Sequence, residues 1–165
     1  MHHVSNEIFY FASERAKAAM VIPNAVDAHL VDFITAFNSI EGVATTWCCS
    51  GHTGEEKGLG APKDTEKYIT RSYISFVTVE DNAAILERIS QWLLSSKTFE
   101  DQPRRTFSLE LRRLKLMGIT RDPKDENVYY PAFSIEIYYK PYKDLDRTYY
   151  KAALNDLIKY LKAGD

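Results

Sequence analysis

The chain is poor in cysteine, with two in 165 residues, adjacent at Cys48 and Cys49. A disulfide framework is thereby excluded, since neighbouring cysteines bridge only with strain, and a reducing cytoplasm is the expected setting. No apolar run approaches the roughly 18 residues of a membrane span, so no membrane partner is expected. Met1 to Tyr10 lacks the basic start and apolar block of a signal peptide. Positive charge is not in excess either: 21 Lys and Arg against 23 Asp and Glu leave a net charge of −2. Contact with nucleic acid would therefore need a local basic patch. What remains is the composition of a soluble globular protein, 45% hydrophobic and 27% charged, of a size for one domain.

Taken in order, Glu7 to Phe11 reads as a short strand and Ser13 as the cap of a short helix through Met20. Pro23-Asn24 opens the first clear helix, with Asn24 as N-cap and Asp27 in the first turn, where the helix dipole favours an acid. Val26, Leu30, Phe33, Ile34 and Phe37 form its apolar face. Gly42 leads into Val43 to Trp47, read as a central strand. Residues 53 to 71 follow as a long Gly- and Lys-rich loop of the kind that serves as a functional lid or is mobile. Tyr73 to Val79 returns as a strand. A helix from about Asp81 to Ser95 buries Ile85, Ile89, Trp92 and Leu93.

Strict alternation then marks two further strands, 106 to 117 and 132 to 140, which a polar turn at Asp122 to Asn127 should pair antiparallel. Phe107, Leu109, Phe133, Ile135 and Ile137 belong to the buried side. The phase slips at Arg112-Arg113, where Leu114 and Leu116 take over the apolar side, as a bulge would cause. A last helix, from about Asp144 to Lys162, buries Leu145, Tyr149, Ala153, Leu157 and Leu161. Paired strands with helices between them predict an α+β two-layer sandwich, its helices packed on one face of a mostly antiparallel sheet.

Reactive side chains gather in one place, the turn after Trp47. Cys48, Cys49 and His52 are soft metal ligands, but the remaining histidines are His2, His3 and His29, and the second half of a four-ligand zinc site is missing. Cys49 stands three residues before His52, which could act as its base, although a cysteine is also an ordinary core residue. The third reading is a ligand site. Thr46, Cys49, Ser50, Gly51, His52 and Thr53 present hydroxyls, an imidazole and backbone N–H groups, and Lys57, Lys63 and Arg71 follow as candidate phosphate contacts. The spacing of a Walker loop is absent, and a solvated loop whose glycines only let it turn is the plain alternative. Alternation across the strand end puts Thr45, Trp47 and Cys49 on one side and Ala44, Thr46 and Cys48 on the other. Cys49 is then the pocket thiol and Cys48 the packing one.

The run Thr45-Thr46-Trp47-Cys48-Cys49-Ser50-Gly51-His52 resembles the Thr-Thr-Ser-Ser-Cys-Ser-Gly-Arg signature of the wybutosine-synthesising tRNA methyltransferases of the third pathway step. Trp47 and Cys48 replace the two serines, and His52 replaces the arginine. The likeness covers roughly residues 24 to 95 and includes a helix ending near Asn38. It implies S-adenosylmethionine as cofactor and a tRNA-linked activity. Cys49-Ser50-Gly51-His52 and Tyr73-Ile74-Ser75-Phe76 also resemble a motif of small phage-encoded proteins without an assigned activity. Two functions follow: a tRNA-modification-type protein with a nucleotide or S-adenosylmethionine site at the turn, or a non-catalytic phage or mobile-element protein that sequesters a nucleotide or docks on a host protein. Lys57, Lys63, Arg71, Arg104, Arg105, Arg112 and Arg113 gathered on one face around the turn would favour the first. Their pairing with Glu110 and Glu136 would favour the second.

Overall fold

The computed structural model describes residues 3–49, 70–79, 83–96, 107–120, 122, 124, 127–139 and 147–163. Among them the order is α1 (Asn6–Val21), α2 (Val31–Asn38), β1 (Val43–Cys49), β2 (Thr70–Thr78), α3 (Ala83–Ser95), β3 (Phe107–Leu116), β4 (Tyr130–Tyr139) and α4 (Arg147–Lys162). The strands form one antiparallel sheet in the order β1-β2-β4-β3. The fold is α+β. No helix among the described residues is long and apolar enough to cross a membrane.

The expected pairing of the last two strands is present over the full length of both, from Phe107 opposite Tyr139 to Leu116 opposite Tyr130. Phe133 and Ile135 lie in the core with Leu109 packed against it, while the side chains of Phe107 and Ile137 lie outside the described set. Alternation places Ile74 and Phe76 on the same face as Phe133 and Ile135. There α2, α3 and α4 cover them with Phe33, Phe37, Ile89, Trp92, Leu154 and Leu157. Aromatic contacts run through this layer, from Phe33 to Phe37 at 5.2 Å, Phe37 to Phe76 at 5.1 Å and Phe76 to Phe133 at 5.8 Å between centroids. Such offset and edge-on pairs are the geometries that ring quadrupoles favour. Helices α3 and α4 are tied together by Trp92 Nε1, which donates to Asp156 Oδ2 at 2.9 Å, and by Arg88, which donates to the carbonyls of Tyr160 and Leu161. Leu145 lies outside the described residues, as does the side chain of Tyr149. Ala153, Leu157 and Leu161 are buried as expected.

Four expectations are corrected. Glu7 to Phe11 is not a strand but the first half of α1, with Ser5 as N-cap accepting from the Ile8 N–H. Helical spacing brings Ile8, Ala12 and Phe9 onto a second, smaller cluster with Val4, Ala44, Val77 and Ala132, on the reverse face of the sheet. The helix after Pro23 starts only at Val31. Asn24 has a φ of 61°, a left-handed conformation that a helical N-terminus cannot use, and residues up to Leu30 form turns. Among the described strands Val43 to Trp47 is an edge strand, because β4 takes the second position beside β2. Finally, β3 has no bulge at Arg112-Arg113, since its register with β4 is unbroken. The apolar phase changes there because Leu109 and Leu111 serve the larger core, whereas Leu114 and Leu116 serve the reverse-face cluster.

Candidate functional site

The bulge lies in β1, at the heart of the run singled out above. Thr45 stands opposite Phe76 and Trp47 opposite Ser75, so Thr46 is the extra residue. An extra residue resets the alternation. Thr45 therefore shares a face with the larger core, Trp47 turns to the reverse face, and Cys48, opposite Ile74, packs against the larger core. The expected common face of Thr45 and Trp47 is corrected by that one residue. The packing role of Cys48 is as expected. Asn38, at the end of α2, holds the bulge from outside the sheet. Its amide oxygen accepts the Thr45 N–H at 2.8 Å, and its amide nitrogen donates to Thr45 Oγ1 at 2.9 Å.

Turned outward, Trp47 is 43% exposed, yet it is held. The guanidinium of Arg15 on α1 lies 4.3 Å from the centroid of its ring, a cation–π contact. Arg15 Nη1 in turn donates to the Gly118 carbonyl at 2.7 Å. Gly118 has a φ of 68°, a conformation that glycine adopts without strain. Three segments distant in sequence thus fix one large exposed ring.

Trp47 divides two concavities. On the α1 side lies a mainly apolar cleft of about 350 Å³, lined by Phe11, Ala16, Ile34, Thr46, Trp47 and Cys48 among others. Thr46 Oγ1 is buried there and finds no hydrogen-bond partner. On the sheet side lies a trough of about 410 Å³ with Trp47, Tyr73, Ser75, Arg112, Leu114 and Glu136 in its lining. Arg112 Nη1 donates to Glu136 Oε2 at 3.2 Å, pairing a half-exposed guanidinium with a buried carboxylate.

Of the expected site residues, Thr46 lines the cleft. Cys49 is the last residue of β1, opposite Tyr73, and Arg71 lies in β2, opposite Tyr138; both side chains lie outside the described set. Ser50, Gly51, His52, Thr53, Lys57 and Lys63 lie outside the described residues. Among the basic groups weighed, Arg112 is engaged by Glu136. No three His, Cys, Asp or Glu side chains among the described residues gather as a metal site. The residues that sequence reasoning missed are Arg15 and Ser134, while Tyr73 and Ser75 entered it only as part of a strand motif. Their signal was present in part: Ser75 and Ser134 are small polar residues at the outward positions of two apolar strands. Only the non-local pairing of β2 with β4 puts them side by side.

No protein-family model matches the chain, and no curated protein or solved structure matches it either.

Proposed function

We propose that the protein binds a small ligand of the nucleotide class at the end of β1, with the ligand's ring against Trp47. The observation that carries this reading is the exposed indole held in place by Arg15, between two concavities and two residues before the end of β1 at Cys49. A ring fixed before binding loses little freedom on stacking, which is the advantage of preorganisation. The cleft offers an apolar wall and the unpartnered Thr46 hydroxyl, a combination suited to an amphipathic molecule. S-adenosylmethionine is the first candidate, on the resemblance of Thr45 to Gly51 to the methyltransferase signature, and a tRNA-linked activity belongs to the same reading.

The second reading, a non-catalytic phage or mobile-element protein that sequesters such a ligand or docks on a host protein, is favoured by the pairing of Arg112 with Glu136. That pairing removes one arginine from any basic surface for a polyanion. Titration calorimetry with S-adenosylmethionine, S-adenosylhomocysteine, nucleosides, nucleotides and tRNA tests both. Stacking on an aromatic ring contributes about 1–3 kcal/mol per base, so Trp47→Ala should weaken binding about 5- to 150-fold. Methyl transfer to tRNA would select the first reading, and binding without turnover the second. If no small molecule of the panel binds more tightly than about 1 mM, the ligand site is wrong.

A further inference from the structure

We infer that the trough on the reverse face of the sheet is a subsite that reads the ring edge of a nucleoside, and that it takes a planar heterocycle presenting an N–H donor beside a carbonyl acceptor, an edge that the adenine of S-adenosylmethionine lacks. The inference rests on the nucleotide-class reading and goes beyond it by assigning the recognition to Arg112 and Glu136.

The rows of the sheet show how the trough is made. One row across the reverse face is apolar, with Ala44 opposite Val77 and Leu114 opposite Ala132, and α1 packs against it. The next row changes character: Trp47 opposite Ser75, Ser75 opposite Ser134, and Ser134 opposite Arg112. Two small residues in the middle strands, flanked by two large ones on the outer strands, make a concave floor. Three strand spacings put Trp47 and Arg112 about 14 Å apart at the backbone. Once the two side chains take their share, a ring system fits between them, whereas a helix, about 10–12 Å across with its side chains, does not.

Along the same face of β4, Ala132 belongs to the apolar cluster with Ala12 of α1, and Ser134 and Glu136 follow on that face, both buried. Glu136 is 2% exposed, and a buried carboxylate stabilises a fold poorly compared with a well-packed apolar residue. Ser134, in the row between Ser75 and Arg112, is fully buried behind the lining of the trough, and its hydroxyl finds no hydrogen-bond partner. A carboxylate only accepts and a guanidinium only donates, and each takes several hydrogen bonds at once. Side by side they match a ring edge that donates with N–H and accepts with C=O. Trp47 supplies the stacking wall.

The test is titration calorimetry of the full chain with inosine, uridine and their edge-blocked forms, 1-methylinosine and 3-methyluridine. Inosine or uridine should bind, and N-methylation should weaken that binding about tenfold or more, the effect of losing a hydrogen bond to a charged group. Glu136→Gln should weaken the unmethylated nucleoside to a similar degree and leave the methylated one unchanged, a pattern that a merely structural role does not produce, whereas Arg112→Lys should weaken both, because N-methylation leaves the carbonyl in place. Ser75→Val, which fills the floor, should abolish both. Thermal melts check that each variant folds. Where one does not, the methylated and unmethylated pair on the unaltered protein decides. If nucleosides bind in a Trp47-dependent way but methylation and the variants change affinity less than about twofold, the subsite is overturned and the nucleotide-class reading stands. If neither nucleoside binds and S-adenosylmethionine does, the subsite is again overturned. If nothing binds, both fall.

Discussion

At the scale of single residues, the two thiols divide by their position after the bulge. Cys48 faces the larger core opposite Ile74, while Cys49 ends the strand opposite Tyr73. A thiol packed against apolar side chains reacts slowly, because the thiolate is the reactive form and burial disfavours it. Labelling with a small thiol reagent should therefore be faster in Cys48→Ala, where Cys49 remains, than in Cys49→Ala, and a bound ligand should slow it. Preferential labelling of Cys48 would reverse the assignment. Trp47 and Trp92 make a second contrast. Trp92 is buried and anchored to Asp156, so Trp92→Phe should cost stability through a lost hydrogen bond of about 1 kcal/mol or more. Trp47→Phe keeps a ring over which Arg15 can lie and should be close to neutral in a denaturant melt.

At the scale of elements, the bulge in β1 depends on a residue of α2. Asn38 satisfies both the backbone N–H and the hydroxyl of Thr45, and deleting it leaves a largely buried pair of groups unpaired. Asn38→Ala should cost about 1–3 kcal/mol by urea denaturation and speed amide exchange at Thr45. Asn38→Asp should lose much less, because a carboxylate can accept from both Thr45 groups. The same elements show what could be read in advance. Strands β3 and β4 were legible because a half-buried strand alternates, and α3 because Ile85, Ile89 and Trp92 recur at helical spacing. The start of α1 was not, because Ile8, Phe9, Tyr10 and Phe11 are strand-formers by local preference, and the choice falls to Ser5 as cap and to the fit of Ala12 against the sheet. The bulge left no mark either: Thr46 carries none of the glycine signals of an irregular strand. The run Cys49 to His52 reads as a concentration of chemistry, and all of it but Cys49 lies outside the described residues. The trough was not legible, because it joins residues from strands far apart in the chain.

At the scale of the whole molecule, the aromatic chain from Phe33 to Phe133 links α2 to the two central strands. Phe76 is its middle member and fully buried. Phe76→Ala should destabilise by about 3–5 kcal/mol, the usual cost of deleting a core aromatic ring. Leu94→Ala, at a position 90% exposed, should stay within about 0.5 kcal/mol. Equal effects in a thermal melt would show that the core is not built around Phe76.

The strand order also sets a timetable for the nascent chain. β4 lies between β2 and β3, so the inner edge of β2 gains its partner only when Tyr130 to Tyr139 have been made. Until then β2 offers a row of unpaired backbone groups beside Ile74 and Phe76, the kind of edge on which chains pair with one another. β3 and β4 can meet locally as a hairpin and then arrive at β2 as a finished unit. Synthesis interrupted between β3 and β4 should yield aggregating fragments, and chaperone dependence during translation should end once β4 leaves the ribosome.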